Sequence, residues 1–393
     1  MSEDSYPDPP TEVPAVDPET LQTRLDAGDP IRLLDVRDRD EIEQWEIDGE
    51  SVTSTHVPYA KFMQAKVRDT VDELAADVAG EGPITVVCGR GEASDFVAGV
   101  LTEAGFEARN LAGGMDAWGR LYQATELDCE GPTVVQYRRP SSGCLAYTID
   151  ADGEAVVVDP LAAFTERYVD DAADRGVEVV AVVDTHVHAD HVSGMRDLAD
   201  AVGAPAVLPA EAVERGVTFD VETVTDGDTI AVGDETVHVR ALPGHTTGMA
   251  GLVAGDVLLS GDSLFLDSVA RPDLQDSGDI ETLARDLYAS LTERLSDLPD
   301  ETLLAPGHYD AGDERAADGS YTAPLGDVRE RVGVFAMDET TFVDRVTGEL
   351  PPQPANAAQI VAINLGTETV DEEDALQLEL GPNNCAAGPV EAD

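Results

Sequence analysis

The sequence predicts an α/β protein of two domains, each built on apolar strands that end where reactive side chains begin. Three observations lead there. The 393 residues exceed what one ordinary hydrophobic core organises. Between residues 13 and 125, strand-like apolar runs alternate with helical stretches, the order of a parallel sheet. From residue 133 to residue 370, four apolar runs stop abruptly at histidine or aspartate.

Residues 1–12 are acidic and proline-rich and read as a disordered tail. They lack the basic-then-apolar pattern of a secretory leader, so a cytoplasmic protein is expected. Asp17-Pro18-Glu19 opens a capped helix, with proline at its first position and acid in its first turn. Ile31 to Arg37 reads as a strand, Val67 to Val78 as a helix, and Ile84 to Val87 as a buried strand ending at Cys88. The chain then runs Gly89-Arg90-Gly91-Glu92-Ala93-Ser94 into a helix over Asp95 to Ala104. A sulfur at that strand end faces loop amides, those of Gly89 and Gly91 among them, and a helix N-terminus. Both stabilise an anion, whether a thiolate or a persulfide. Arg90 adds a positive charge. A free cysteine more often packs as a small hydrophobe, but the glycine loop favours a reactive role for Cys88. His56 reads as a packing or surface residue.

Residues 126–132 read as a linker. Thr133 to Tyr137, Cys144 to Ile149 and Glu154 to Val158 follow as strands, the last stopped by Asp159-Pro160. A helix over Tyr168 to Arg175 leads to Val177–Val183, an unbroken apolar run of the kind buried on both faces of a sheet. At its end stands Thr185-His186-Val187-His188-Ala189-Asp190-His191, three imidazoles and a carboxylate within six residues. A solvated loop could be rich in histidine by accident. With only seven histidines in the chain, three so close together point instead to a divalent transition metal. His245 follows Leu242-Pro243-Gly244, Asp262 ends Val257 to Gly261, and His308 follows Leu303 to Gly307. Each is a strand, then a small residue, then a ligand, glycine permitting close approach. His238, in the alternating segment Thr236 to Arg240, reads as a surface residue. Residues 371–393 form an acidic tail, in which Cys385 is read as a loosely ordered terminal thiol.

The charge balance speaks to the solvent. Against 80 acidic residues stand 24 basic ones, a net charge of −56, and the only lysines are Lys61 and Lys66. Such self-repulsion is screened where the Debye length falls to roughly 3 Å, near molar salt, so a salt-rich cytoplasm is expected. The same charge argues against nucleic acid and anionic membranes as partners, and no apolar run is long enough to span a bilayer. The cysteines 88, 129, 144 and 385 show no CxxC spacing and read as free thiols of a reducing compartment.

Residues 13–125 resemble the rhodanese (sulfurtransferase) family. The likeness rests on Leu34-Asp35-Val36-Arg37, the loop Cys88 to Ala93, and Leu111-Ala112-Gly113-Gly114-Met115-Asp116-Ala117-Trp118. It implies that Cys88 carries a transferable sulfur as a persulfide, with Gly89, Arg90 and Gly91 around it. Ala93 stands where the family often has arginine, and a segment around His56-Val57-Pro58 replaces its usual Gly-His-Ile. Residues 133–370 resemble the metallo-β-lactamase superfamily, which implies an αββα sandwich with metal at the sheet edges. By that resemblance His186, His188 and His245 form one metal site. Asp190, His191 and His308 form a second, with Asp262 between them and Asp159 supporting from behind.

Two branches of the superfamily fit. One is a persulfide dioxygenase with a single Fe(II) on His186, His245 and Asp262. The other is a glyoxalase II-like thioester hydrolase with zinc, one ion or two. The stretch Gly261-Asp262-Ser263-Leu264-Phe265 followed by Ser268 to Leu274 is similar to the dioxygenase pattern, and there Arg271 would bind the carboxylate of a thiol substrate. The tail through Leu350-Pro351-Pro352 and Ile363-Asn364 looks like the same branch. Cys88 and Asp190 are the candidate catalytic residues, with Asp190, His188, His191 and His308 holding hydrogen bonds or positioning water. The expected partners are a small thiol persulfide or a thioester, and O2, with a homo-oligomer left open. A third reading makes the chain a non-catalytic sulfur carrier.

Overall fold

The computed structural model describes every residue except 1–5, 77, 79–81, 276–279, 311, 349, 380, 382 and 388–393. The first five residues of the predicted N-terminal tail and the last six of the acidic tail therefore lie outside the described residues. So does position 77 of the helix predicted over 67–78. The chain divides into two compact units, Met1–Leu121 and Tyr122–Asp393.

The first unit is a five-stranded parallel sheet, in the order Ala15–Val16, Ala108–Leu111, Ile84–Val87, Ile31–Asp35, Val52–His56. Ile84–Val87 is buried along its whole length, as an apolar strand at the centre of a covered sheet must be. The helix Glu92–Glu103 packs across it. The sequence placed one helix over 67–78, but there are two, Tyr59–Arg68 and Val71–Ala76. The first stops because Asp69 turns left-handed at φ 60°, the usual way of closing a helix C-terminus. The predicted tail joins the fold from Tyr6 onward. The Tyr6 ring meets Tyr59 edge-on at 5.2 Å, and Pro9 and Pro10 lie against Gly99.

The second unit holds two sheets. One has seven strands, in the order Glu222–Val224, Ala206–Pro209, Glu178–Val183, Glu154–Val158, Leu145–Ala151, Thr133–Arg138, Gln123–Glu126. The other has six, Thr229–Val232, Glu235–Ala241, Ala250–Ala254, Val257–Gly261, Leu303–Pro306 and Ala323–Pro324. Their facing side chains, Ile149, Val156 and Val183 from one and Val239, Leu252 and Leu258 from the other, share a single core. Helices Thr165–Arg175 and Met195–Val202 cover the outer face of the first sheet. Leu287 and Phe342 carry two further helices onto the second. The sandwich is therefore layered αββα.

Two boundaries differ from the expectation. Residues 123–126, expected as the end of the first domain and the start of the linker, pair antiparallel with Thr133–Arg138 as an edge strand of the second unit. The C-terminal segment is no free tail. Helix Glu372–Leu378 leads to a fully buried Glu379. Its carboxylate pairs with buried Arg139 and accepts the Val192 amide at 2.7 Å. Beyond it, Ala386 bridges Ala270 and Cys385 is completely buried. A buried charge without its partner costs several kcal/mol, roughly 3–5, so the Arg139–Glu379 pair fixes this segment in place. No helix among the described residues is long and apolar enough to cross a membrane.

Candidate metal centre and the Cys88 loop

Four strand ends converge on one buried space. Glu178–Val183 feeds the loop that carries His186, His188, Asp190 and His191. His245 lies in the turn after Glu235–Ala241, and Asp262 and His308 follow the parallel neighbours Val257–Gly261 and Leu303–Pro306. At Gly307 a Cβ would stand 2.4 Å from Asp262 Oδ1, so only glycine lets these two strand ends meet.

The atoms of His186, His245 and Asp262 gather within 4.8 Å of one another, all buried. Asp262 Oδ2 lies 3.8 Å from His186 Nε2 and 3.7 Å from His245 Nε2. Two donors each about 2.1 Å from one ion can stand up to about 4.2 Å apart, so the separations suit a shared ion. The hydrogen bonds behind them fix which nitrogen is bare. Asp159 Oδ2 accepts the Thr185 hydroxyl at 2.8 Å, so His186 Nδ1 must donate to Thr185 Oγ1 at 3.0 Å. His245 Nδ1 donates to the Arg271 carbonyl at 3.0 Å. His186 Nε2, His245 Nε2 and Asp262 Oδ2 are left buried with no hydrogen-bond partner. An unsatisfied buried polar atom costs on the order of 1–3 kcal/mol, and three facing one another fit a cation.

The remaining residues divide differently. His188 gathers with Asp159 and Asp184: its Nε2 donates to Asp159 Oδ1 at 3.1 Å and its Nδ1 is bare. His191 donates through Nδ1 to Asp190 Oδ2 at 3.0 Å, leaving Nε2 bare. His308 has no bare nitrogen. Its Nδ1 lies 2.7 Å from Asp262 Oδ1 and its Nε2 2.8 Å from Asp190 Oδ2, joining the two carboxylates.

The electrostatics follow this division. Burial, reinforced by His188, holds His186 well below the usual imidazole range, and burial lowers His245. Burial works to raise Asp262, but the charge and hydrogen bond of His308 overcome it and hold that carboxyl below its usual range. Burial likewise opposes charge on His308, yet Asp262 and Asp190 raise it well above an ordinary histidine. Asp184, against the same wall, is pushed up to about 6 by burial, although His188 draws it down.

Asp159 takes this supporting position in a left-handed conformation, φ 50°. Through two oxygens it holds the Thr185 amide, the Thr185 hydroxyl and His188. An Asp159→Asn variant is expected to weaken metal binding about 10- to 100-fold, read by titration against a competing chelator. Unchanged affinity would remove Asp159 from the centre.

Arg271 departs from the expectation. Its fork is buried and already engaged, with Nε and one terminal nitrogen on Asp273 at 2.6 and 2.9 Å. The other terminal nitrogen reaches the carbonyls of Pro352 and Asn384. Rather than offering a free fork to a substrate carboxylate, it ties together the segments around Asp273, Pro352 and Asn384 and thereby fixes the carbonyl that holds His245. Cys385 also differs. Far from loosely ordered, its sulfur gathers with Asp190, Asp262 and His308, and burial followed by those two carboxylates raises its thiol well above the ordinary range. Two further residues reach the site: Cys144, whose sulfur gathers with Asp190, His191 and His308, and Asn364, whose amide donates to the carbonyls of both His188 and His191. Nothing in their local sequence marks them, since only tertiary packing brings them there. His238 is exposed on its strand, and so is His56.

In the first unit, Cys88 Sγ accepts the amides of Gly91 at 3.1 Å and Ser94 at 3.3 Å, with Ser94 Oγ at 3.1 Å. Gly91 is left-handed at φ 98° and caps the helix Glu92–Glu103. The carbonyls of Cys88 and Gly89 accept the amides of Met115 and Asp116. A Cβ on Gly114 would stand 2.3 Å from the Cys88 carbonyl, which accounts for the glycine pair. Arg90 is exposed and pairs with Asp116 at 3.4 Å, so the loop cradles its sulfur with amides and a hydroxyl.

A metallo-beta-lactamase superfamily model matches residues 140–308, and a rhodanese-like domain model matches residues 17–121. The chain is similar to the mitochondrial persulfide dioxygenase ETHE1 of Homo sapiens, 32% identical over 158 residues, which is 39% of this chain and 59% of that protein. It is also similar to the hydroxyacylglutathione hydrolase of a Polaromonas species, 35% identical over 161 residues, 40% of this chain and 57% of that protein. It thus spans less than two thirds of either. Among solved structures, ETHE1 from Myxococcus xanthus superposes with a TM-score of 0.53 at 27% identity, over 59% of this chain and 98% of that one.

Proposed function

We propose that this chain, which belongs to the metallo-beta-lactamase superfamily and carries a rhodanese-like domain ahead of that fold, oxidises the persulfide of a small thiol to sulfite. The observation that carries the reading is the His186, His245 and Asp262 group. Two imidazoles and one carboxylate with bare, buried atoms make the ligand set of non-haem Fe(II) oxygenases. Fe(II) bound there supplies the redox chemistry that joins O2 to sulfur. The balance is RSSH + O2 + H2O → RSH + HSO3⁻ + H⁺: the S–S bond breaks, the outer sulfur is oxidised and O2 is reduced.

The protein's own groups hold the reaction space. Thr185 and the Arg271 carbonyl fix the tautomers of His186 and His245 so that the bare nitrogens turn inward, and burial keeps both rings neutral. His308 holds a proton between Asp190 and Asp262 and keeps Asp262 ionised. Asp190 and His191 are placed to position water. Cys88 carries sulfane sulfur in its amide cradle.

Protein purified without oxygen is expected to contain iron and to consume about one O2 per glutathione persulfide supplied, as that balance requires, releasing sulfite. Two zinc ions per chain with thioester cleavage and no oxygen uptake would replace this reading with a hydrolase. One observation favours that alternative: Asp190 Oδ1, His191 Nε2 and His188 Nδ1 are also bare. Cys88→Ser is expected to remove sulfane-sulfur transfer while leaving oxygen uptake on a supplied persulfide. Unchanged sulfur products would make the first unit a bystander.

A further inference from the structure

We propose that the Cys144 thiol limits the metal centre to a single ion. This deepens the oxidation reading and rests on it only for which ion His186, His245 and Asp262 hold. A second ion beside the first would need Asp190, His191 and His308, since such sites take at least three protein donors.

Asp190 is already committed. Its Oδ2 receives Cys144 Sγ at 3.2 Å, His191 Nδ1 at 3.0 Å and His308 Nε2 at 2.8 Å. Three donors converge on that one oxygen and lock the group's rotation, and of the three the thiol is the one outside the Asp190, His191 and His308 set. The thiol's direction is set as well. Ser142 Oγ donates to Cys144 Sγ at 3.0 Å, which leaves the S–H for Asp190. Cys144 is 1% exposed and lies in a β-bridge opposite His308, so its sulfur has nowhere else to turn. Asp190 Oδ1 and His191 Nε2 remain bare, one donor short. The third, His308 Nε2, faces the very oxygen that the thiol pins.

The competing geometry makes Cys144 a ligand. Its sulfur lies within 4.8 Å of the Asp190, His191 and His308 atoms, which would suit a thiophilic ion. The hydrogen-bond directions favour the first arrangement, because a sulfur that donates to Asp190 holds that carboxylate rather than sharing an ion with it.

The test counts ions without turnover. The full chain, purified without oxygen, is loaded with excess Co(II), desalted and analysed for metal. Wild type and Cys144→Ser, whose hydroxyl still donates to Asp190, are expected to hold about one cobalt per chain, and Cys144→Ala about two. Three results would each overturn the proposal: two ions in wild type, one in a folded Cys144→Ala, or a thiolate-to-cobalt charge-transfer band in wild type. The wild-type count and spectrum decide even if the alanine variant fails to fold. Failure of the oxidation reading shows at the oxygen electrode, whereas failure of this inference shows in the cobalt count.

Discussion

Asp262→Ala is expected to abolish oxygen uptake and to lower metal affinity by more than about 100-fold, beyond the cost of losing a hydrogen-bonded supporting residue such as Asp159. Two losses combine. The centre loses the only carboxylate in its three-residue group, and with it the negative charge that makes a divalent ion welcome among neutral imidazoles. His308 also loses the acceptor on its Nδ1, leaving a raised, buried histidine with Asp190 alone. A buried charge stripped of one partner is costly, so a smaller fall in stability should accompany the loss of metal. Metal analysis of anaerobically purified variant beside a thermal melt separates the two effects. A variant that kept its metal and consumed oxygen as wild type does would remove Asp262 from the ligand set.

The second large effect is on stability. With 80 acidic and 24 basic residues, most surface carboxylates cannot find a cation. Exposed pairs such as Arg39–Glu43 and Arg285–Glu281 are few against that excess, and each is worth little. Raising KCl from about 0.1 M to molar concentrations shortens the Debye length from roughly 10 Å to roughly 3 Å and removes most of the repulsion. The melting temperature is expected to rise by on the order of 10 °C over that range, equivalent to about 8 kcal/mol for a chain of this size. A melting temperature indifferent to salt would show that the charge pattern is not an adaptation to ionic strength.

The αββα architecture was legible because its strands are short apolar runs with sharp ends, and a ligand standing just past a strand cannot be moved far by the rest of the fold. Hence His186, His188, His245, Asp262 and His308 all reach one buried space from positions spread over the chain. Cys88 was legible for the same reason, at the end of Ile84–Val87. What a linear reading misses are residues whose surroundings are set by distant chain. Gln123–Glu126 has exposed alternate positions and reads as the end of the first domain until its partner strand in the second is seen. Arg271 carries the right chemistry to bind a carboxylate, but Asp273, two residues on, takes it first. Cys385 sits among turn residues near the terminus, and only the buried Arg139–Glu379 pair reveals that the segment around it is anchored.

That anchor has a bearing on how the molecule is made. The loop from His186 to His191 is tied by Asn364 to its own carbonyls and, one residue further, by Glu379 to the Val192 amide. Synthesis proceeds from the N-terminus, and domains fold as units while it does. The unit around Cys88 can therefore form while the ribosome is still at work. The ion-holding loop cannot close until Asn364 and Glu379 have left the ribosome. Nascent chains stalled before Asn364 should already hold a folded first unit and yet retain no metal.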